Sequence, residues 1–102
     1  MSSSAIEQVA ALATQVEVTD DTVTVQLADG RTIAAPLAWY PRLLQATVEE
    51  RAEWRLTAGG RGIHWPSVDE DISVANLLAG QPSMESQSSF QKWLQGRSKS
   101  AV

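Results

Sequence analysis

The chain has 102 residues, of which 43% are hydrophobic and 20% are charged, with four tryptophans and no cysteine. This length and composition indicate one folded domain and exclude a disordered chain, a disulfide scaffold, a thiolate metal site and a cysteine nucleophile. The formal net charge of −4 disfavours direct nucleic-acid binding, because lysine and arginine contacts with phosphate dominate such binding.

Charge and hydropathy also bear on location. Residues 1–81 carry 11 acidic and 5 basic side chains, whereas residues 82–102 carry 1 acidic and 3 basic side chains. The N-terminus has neither a basic region nor a continuous apolar run, so we expect no signal peptide. No stretch approaches the ~20 apolar residues of a membrane span. A small chain without cysteine is typical of the cytoplasm.

Three segments are predicted along the chain. Residues 1–14 form an N-terminal extension or short helix, for which Ser4 is a suitable N-cap. Residues 15–80 form an α+β core domain, and residues 81–102 form a C-terminal helix and a loose tail.

Two neighbouring segments near the start of the core domain alternate valines with polar residues, which predicts two strands. With residues 20–21 as the loop, Val18 lies opposite Val23 and Val16 lies opposite Val25. The apolar sides of both strands then fall on one face of a hairpin.

The third strand follows a turn that contains Gly30. A two-residue loop would bury the polar side of this strand, whereas a three-residue loop over residues 28–30 places Val25 opposite Ile33. We therefore predict a type I turn with Gly30 in the left-handed conformation within a bulge. Pro36 ends the strand.

Short helices are predicted next. Trp39 begins an apolar series with helical spacing, which Pro41 limits to a short start. Thr47 and Glu50 fit a capping box, in which each side chain bonds the backbone of the other residue. The helix that they begin is brief, over residues 48–52.

A second hairpin is predicted around Gly59 and Gly60, which we interpret as a two-residue loop. The cross-strand pairs in this register are Leu56 with Ile63, Trp54 with Trp65 and Arg55 with His64. The fold class is therefore α+β, with a small antiparallel sheet from two β-hairpins, packed short helices and a C-terminal amphipathic helix.

The acidic run over residues 69–71 is interpreted as a solvated loop, or as a loop in which Asp71 caps the segment that follows. The apolar residues after it predict a short closing helix that Gly80 stops.

The last helix is predicted to begin after Ser83 and to end before Gly96. Phe90, Trp93 and Leu94 follow the spacing i, i+3, i+4, which gives this helix one apolar stripe. The stripe fits equally a contact with the domain's own sheet and a contact with a partner protein or a second copy of the chain.

His64 is the single histidine. A histidine-based triad also needs a nucleophile, such as a serine in a strained turn of the Gly-x-Ser-x-Gly kind, and the sequence has no such turn. We therefore expect no catalytic residues and no enzyme activity. The glycines at 59, 60 and 62 lack the lysine and the following helix of a phosphate-binding loop, and a hairpin turn explains them.

An alternative interpretation of the charged residues near His64 is a site that binds a small ligand or a cation. Three consecutive acids point in different directions, which favours a solvated loop beside a half-exposed His64, and we predict no metal and no cofactor. The candidate interaction or ligand surface consists of Arg55, Arg61, His64, Asp69, Glu70 and Asp71.

Three tryptophans, Trp39, Trp54 and Trp65, are interpreted as core residues. An exposed aromatic face would instead indicate a stacking platform for nucleic acid, which the neighbouring acids disfavour.

From Trp54 onward the sequence resembles the signature of a bacterial family named domain of unknown function 2442. The elements that carry the resemblance are Trp54-Arg55-Leu56, Gly59-Gly60-Arg61-Gly62-Ile63-His64-Trp65-Pro66, Asp69-Glu70-Asp71-Ile72-Ser73-Val74 and Leu77-Leu78. The resemblance covers roughly residues 15–95 and is most specific over residues 54–78. It implies a small α+β fold without established catalytic residues. It also implies a setting in which some members are fused to a helix-turn-helix domain or encoded beside another small protein, as in toxin–antitoxin pairs.

The predicted function is a non-enzymatic regulatory or partner-binding module, such as one half of a toxin–antitoxin-like pair. Its partner would be another protein or a second copy of the chain, in a homodimer. The alternative function is a small-ligand or cation-binding sensor that uses His64, Asp69 and Asp71. Direct nucleic-acid binding and membrane association are not expected.

Overall fold

A computed structural model describes residues 11–100 of the chain. The architecture is α+β, as the sequence predicts, and it contains two three-stranded antiparallel sheets. The first sheet has the order β1-β2-β3, with β1 Ala13–Val18, β2 Thr22–Leu27 and β3 Thr32–Pro36. The second has the order β4-β5-β6, with β4 Arg55–Thr57, β5 Gly62–Trp65 and β6 Glu70–Ser73. The helices are α1 Pro41–Leu44, α2 Val48–Ala52, α3 Val74–Leu78 and α4 Gln87–Ser100, with 3-10 turns at Leu37–Trp39 and Ala58–Gly60.

The predicted N-terminal extension over residues 1–14 falls largely outside the described residues. Its Ser4 cap and most of its short helix belong to residues 1–10, which are not described. The last part of the segment belongs to the core domain, since β1 begins at Ala13.

The hydrogen-bond register of the first sheet confirms both predicted turns. The predicted pairs, all of which are formed, are Val16 with Val25, Val18 with Val23 and Val25 with Ile33. The Leu27 amide donates to the Arg31 carbonyl across the three-residue loop at 2.8 Å. Gly30 has a φ of +92°, as a left-handed bulge residue requires.

The prediction of a single sheet is wrong, and so is the solvated loop in the acidic run. The run continues as β6, which pairs with β5 and completes a second sheet. Two inward residues of β6, Glu70 and Ile72, lie opposite Trp65 and Ile63. Tertiary packing of Ile72 on Ile63 outweighs the low strand propensity of the acids.

The second hairpin has the predicted register but a longer turn. The predicted pairs that form are Arg55 with His64 and Leu56 with Ile63. Trp54 precedes β4, so its predicted pairing with Trp65 is not formed. The turn includes a 3-10 segment in which Gly60 has a φ of +101°. A Cβ atom there would lie 2.9 Å from the Ala13 carbonyl oxygen, so this position requires glycine where the turn packs on β1.

The capping box is confirmed at the start of α2. The Thr47 hydroxyl accepts a hydrogen bond from the Glu50 amide at 3.1 Å, and the Glu50 carboxylate accepts one from the Thr47 amide at 2.8 Å. The helix covers Val48–Ala52, as predicted.

Both sheets contribute to one buried hydrophobic cluster. Trp65 is fully buried, and its indole N–H donates to the Arg51 carbonyl at 3.0 Å. Trp39 and Trp54 are partly buried and pack against the same cluster. The interpretation of the tryptophans as core residues therefore holds fully for Trp65 and partly for the other two.

The last two helices have caps other than the predicted ones. At α3, the Ser73 hydroxyl accepts a hydrogen bond from the Asn76 amide at 3.2 Å, so Ser73 and not Asp71 is the cap. At α4, the helix begins at Gln87 and not directly after Ser83. The Ser86 hydroxyl accepts from an amide in the first turn of α4 at 3.1 Å and satisfies one of its unpaired donors.

The predicted end of α4 is also wrong, because the helix continues through Gly96 to Ser100. A glycine inside a helix costs about 1 kcal/mol relative to alanine. Contacts made by Arg97, described below, offset that cost. No helix in the described part of the chain has the length and apolar composition needed to cross a bilayer.

Candidate functional site

The second sheet brings three of the predicted site residues together on its outer face. Arg55 lies opposite His64, and His64 lies opposite Asp71. Antiparallel partners point to the same side of a sheet, so these side chains form a row across three strands. The Nδ1 atom of His64 lies 2.8 Å from Oδ1 of Asp71. This distance fits a hydrogen bond in which the tautomer protonated at Nδ1 donates to the carboxylate.

Asp69 lies beside this pair and completes a cluster that can hold a cation. One ligand atom from each of His64, Asp69 and Asp71 lies within 4.8 Å of the other two. An imidazole nitrogen and two carboxylate oxygens suit a divalent ion such as zinc or manganese. Asp69 and Asp71 are exposed and His64 is partly exposed, so the remaining coordination positions would face solvent or a second molecule.

Glu70 is separated from this cluster, although it lies between the two aspartates in sequence. Side chains alternate along a strand, so Glu70 points to the inward face and is only 8% exposed. Burial raises the pKa of the Glu70 carboxyl to about 7, and the nearby charges of Glu85 and Asp71 raise it as well. The hydrogen bond from the Asp71 amide and the charge of Arg42 act in the opposite direction.

Arg55 and Arg61 are the basic members of the predicted surface, and both are exposed. Arg61 lies at the tip of the second hairpin, immediately after the 3-10 turn. Neither arginine forms an ion pair within residues 11–97, where side chains are described. Both guanidinium groups are therefore available to another molecule.

The apolar stripe of α4 lies on the chain's own domain. Two guanidinium groups lie over the Trp93 ring, with the Arg42 carbon 5.3 Å and the Arg97 carbon 5.1 Å from its centroid. Phe90 stacks on Trp93 with a centroid distance of 5.8 Å. Trp93 packs against the core cluster, and Leu94 is half-buried. Of the two contacts that the stripe fits, the structure has the intramolecular one.

Two bidentate ion pairs fix this arrangement. The Arg42 guanidinium donates to both carboxylate oxygens of Glu85, with an Nη2–Oε2 distance of 2.6 Å. The Arg97 guanidinium donates to both oxygens of Glu50, with an Nη1–Oε2 distance of 3.0 Å. The Arg97 hydrogen bonds lower the pKa of Glu50 to about 2. Paired, partly desolvated arginine–carboxylate contacts of this kind are stronger than ordinary surface pairs.

The ion-paired residues were missed by the sequence analysis, apart from the capping role of Glu50. The partners in the two pairs are 43 and 47 residues apart, respectively. No spacing rule links side chains at such separations. One sequence signal was available for Arg97. It lies at i+4 from Trp93 and therefore on the same face of the helix, which predicts a contact between the two side chains.

A family model described as "Protein of unknown function (DUF2442)" matches residues 13–83. The chain belongs to this family. The match covers both sheets, the charged row and α3, and it ends before α4. No curated protein matches the chain at a significant level.

Two other proteins with solved structures have a fold similar to that of this DUF2442 chain. A protein of unknown function from Rhodospirillum rubrum has a TM-score of 0.62 and 26% identity, over 72% of this chain and 92% of that one. An uncharacterized protein from Chromobacterium violaceum has a TM-score of 0.62 and 18% identity, over 81% of this chain and 83% of that one. The second likeness concerns the fold alone.

Proposed function

We propose that this DUF2442 chain is a non-enzymatic regulatory module that binds another protein through the outer face of its second sheet. The observation that carries the proposal is the row formed by Arg55, His64 and Asp71, with Asp69 beside it and Arg61 at the tip of the same hairpin. The row is accessible and has basic groups at one end and acidic groups at the other. A partner with the opposite order of charges would be recognised in one orientation, because complementary charge fixes register and rejects wrong partners.

Unpaired arginines support this choice of surface. Arginine is enriched in protein interfaces, where its planar guanidinium binds carboxylates in two-point contacts. Arg55 and Arg61 have no acidic partner within the described side chains, unlike Arg42 and Arg97. The α4 stripe is a weaker candidate for the partner surface, since Trp93 is already in contact with two arginines of its own chain.

The environment of His64 supports a non-catalytic role. A histidine–aspartate pair becomes a nucleophilic system only with a hydroxyl or thiol within hydrogen-bond reach. His64 is bonded to Asp71, and no hydroxyl among the described side chains bonds its ring. The cysteine-free composition favours a protein-binding role in the cytoplasm. The family resemblance adds the form in which the chain is one member of a two-gene pair.

The test is a pull-down from a lysate of the source organism with three forms of the protein. The wild type and an Arg31→Glu control are compared with an Arg55→Glu/Arg61→Glu double variant. Arg31 is also exposed, but it lies in the first sheet's hairpin, beside Asp29. We expect a protein that is recovered with the wild type and the control and lost with the double variant. Recovery of the same proteins by all three forms would contradict the proposal.

A divalent-cation sensor is the second candidate, and the convergence of His64, Asp69 and Asp71 favours it. Calorimetric titration with zinc and with manganese tests it. We expect saturable heat for the wild type, and its loss in His64→Ala and Asp71→Asn. Asp29→Asn is the matched control, because Asp29 is a turn aspartate remote from the cluster in sequence. Absence of heat and of a thermal shift with both ions would remove this candidate.

A further inference from the structure

A polar cavity of about 320 Å³ lies along the free edge of β6, on the other side of that strand from β5. Its walls come from β6, from the start of α3, and from the segment that leads into α4. The side chains that line it include Tyr40, Arg42, Glu70, Ser73, Asn76 and Glu85. The volume is at the lower end of the range of small-molecule sites, which is about 300–1,000 Å³.

Two buried polar atoms at this cavity have no hydrogen-bond partner among the described residues, namely the Tyr40 hydroxyl and Oε2 of Glu70. Tyr40 is 3% exposed and Glu70 is 8% exposed, so bulk water does not reach them freely. Native proteins pair nearly all of their buried polar groups. Both residues line this cavity, and burial, followed by the charge of Glu70, raises the pKa of Tyr40. Both atoms can accept a hydrogen bond from a donor that enters the cavity.

The charges around the cavity indicate that its ligand is a cation and not an anion. Four carboxylates line it, at Asp69, Glu70, Asp71 and Glu85, against the single cation of Arg42. Arg42 is fully engaged, because it is bonded to Glu85 and to the carbonyls of Val68 and Asp69. An anion would therefore meet net negative charge with no free cation to receive it.

A bare metal ion is also a poor fit to the two unpaired groups. Calcium takes 6–8 oxygen ligands and magnesium demands near-octahedral geometry. Inside the cavity, one carboxylate oxygen and one phenol hydroxyl are free. An ammonium or guanidinium group brings several N–H donors and needs acceptors only, which this pair supplies.

We propose that the cavity binds a small organic cation whose ammonium or guanidinium group donates hydrogen bonds to the Glu70 carboxylate and the Tyr40 hydroxyl. This cavity shares Asp69 and Asp71 with the outer face of the second sheet, but the two groups that would bind the cation are Glu70 and Tyr40. Polar side chains of α3 and its cap, Ser73 and Asn76, border the same cavity and would contact the remainder of the ligand.

The test is a titration of the full chain with agmatine and with putrescine, followed by amide chemical shifts and calorimetry. 1-Butanol is the uncharged control ligand. We expect saturable shifts at Tyr40, Ser73 and Asn76 with at least one cation, and none at Arg55. Absence of saturation with both cations, or equal binding of butanol, would overturn the proposal.

Two variants test the two unpaired groups, and two further variants are controls. Glu70→Gln keeps the shape of the side chain and should weaken binding by about 100-fold, as expected for loss of a buried charge partner. Tyr40→Phe removes one hydroxyl and should weaken it by about tenfold. Glu53→Gln, an exposed site after α2, and the Arg55→Glu/Arg61→Glu variant should bind as the wild type does. Wild-type affinity in both Glu70→Gln and Tyr40→Phe would overturn the proposal.

Discussion

Arg51 is one of only two buried polar or charged residues among those that the structure describes, and its surroundings explain why it can be buried. Its guanidinium donates to the Leu43 and Leu44 carbonyls and to the Asp20 carboxylate, each at 3.0 Å. Leu43 and Leu44 are at the end of α1, where helix carbonyls lack partners within the helix. Arg51, which belongs to α2, therefore donates hydrogen bonds to carbonyls at the C-terminal end of α1.

Replacing Arg51 with alanine should destabilise the fold by about 3 kcal/mol, because the Leu43 and Leu44 carbonyls each lose a donor, the Asp20 carboxylate loses its ion pair and a buried side chain is removed. Urea unfolding followed by circular dichroism measures this change. Arg55→Ala is the matched control, since that arginine is exposed and unpaired, and it should change stability by less than about 0.5 kcal/mol. Equal unfolding midpoints for the two variants would show that the Arg51 contacts contribute no net stability.

Glu70 predicts an unusual dependence of stability on pH. An unperturbed glutamate has a pKa of 4.5, whereas the folded protein holds that of Glu70 at about 7. Between these values the folded state keeps a proton that the unfolded chain has lost. The contribution of Glu70 to the free energy of unfolding therefore falls as pH rises from 4.5 to about 7, by an amount on the order of 3 kcal/mol.

Glu70→Gln should abolish this fall, because an amide does not ionise. The measurement is the urea midpoint at half-unit steps from pH 4.5 to pH 8 for the wild type, Glu70→Gln and the exposed-site control Glu49→Gln. We expect the wild type and the control to have parallel profiles and Glu70→Gln to have a flatter one. A profile of Glu70→Gln that follows the wild type would place the titration elsewhere.

Residue types alone predicted part of the candidate site. His64, Asp69 and Asp71 do come together, as the cation alternative requires. The burial of Glu70 was not predicted, because acids are uncommon in strands and three in succession favour a loop. The strand forms because its pairing with β5 buries the side chains of Ile72 and Trp65. This burial cannot be inferred before the pairing of β5 with β6 is known.

At the scale of elements, the first sheet was predictable because turn chemistry and alternation agree. The loop over residues 28–30 and the Val25–Ile33 pair select the same register, and a one-residue slip would turn the apolar side of the strand to the other face. The capping box of α2 was predictable for a similar reason, since Thr47 and Glu50 meet within one turn. Local rules suffice where the interacting groups are close in sequence.

The bounds of α4 were not predictable from such rules. Ser83 and Ser86 are both suitable caps by residue type, and a long-range contact decides between them. Glu85 pairs with Arg42, which holds the chain extended before the helix begins. At the other end, the Arg97–Glu50 pair holds the helix beyond Gly96.

The Arg97–Glu50 contact predicts that acid weakens the attachment of α4. The pKa of Glu50 is lowered from 4.5 to about 2, chiefly by hydrogen bonds from Arg97. The stabilisation is complete above pH 4.5 and is lost as pH falls towards 2, since the protonated carboxyl no longer pairs with the guanidinium. Hydrogen exchange in α4 should therefore accelerate across this interval.

Glu50→Gln is the informative variant for that prediction, because glutamine still accepts the hydrogen bond of the capping box. We expect rapid exchange in α4 of this variant already at pH 6, with α2 protected as in the wild type. Loss of protection in α2 as well would mean that the variant breaks the cap and not only the attachment. Unchanged exchange in α4 would contradict a role for the ion pair.

At the scale of the whole molecule, all six described strands precede α4, which is attached to the domain that they form. The family match ends at residue 83, after both sheets and α3. The contacts of α4 described above reach Arg42 in α1 and Glu50 in α2, and neither residue belongs to a sheet. The arrangement is therefore that of a two-sheet core with a helix attached to the short helices at its side.

This arrangement predicts that the chain cut after Ser83 stays folded but loses stability. The cut removes two bidentate ion pairs and the Trp93 ring with its two arginine contacts, which together contribute about 2–4 kcal/mol. A chain cut after Arg97 keeps all of these contacts and is the matched control. Thermal unfolding should give a clearly lower Tm for the shorter chain and a Tm close to that of the full chain for the control. If the shorter chain were unfolded, α4 would be part of the core; if its Tm were unchanged, the attachment would contribute nothing to the fold.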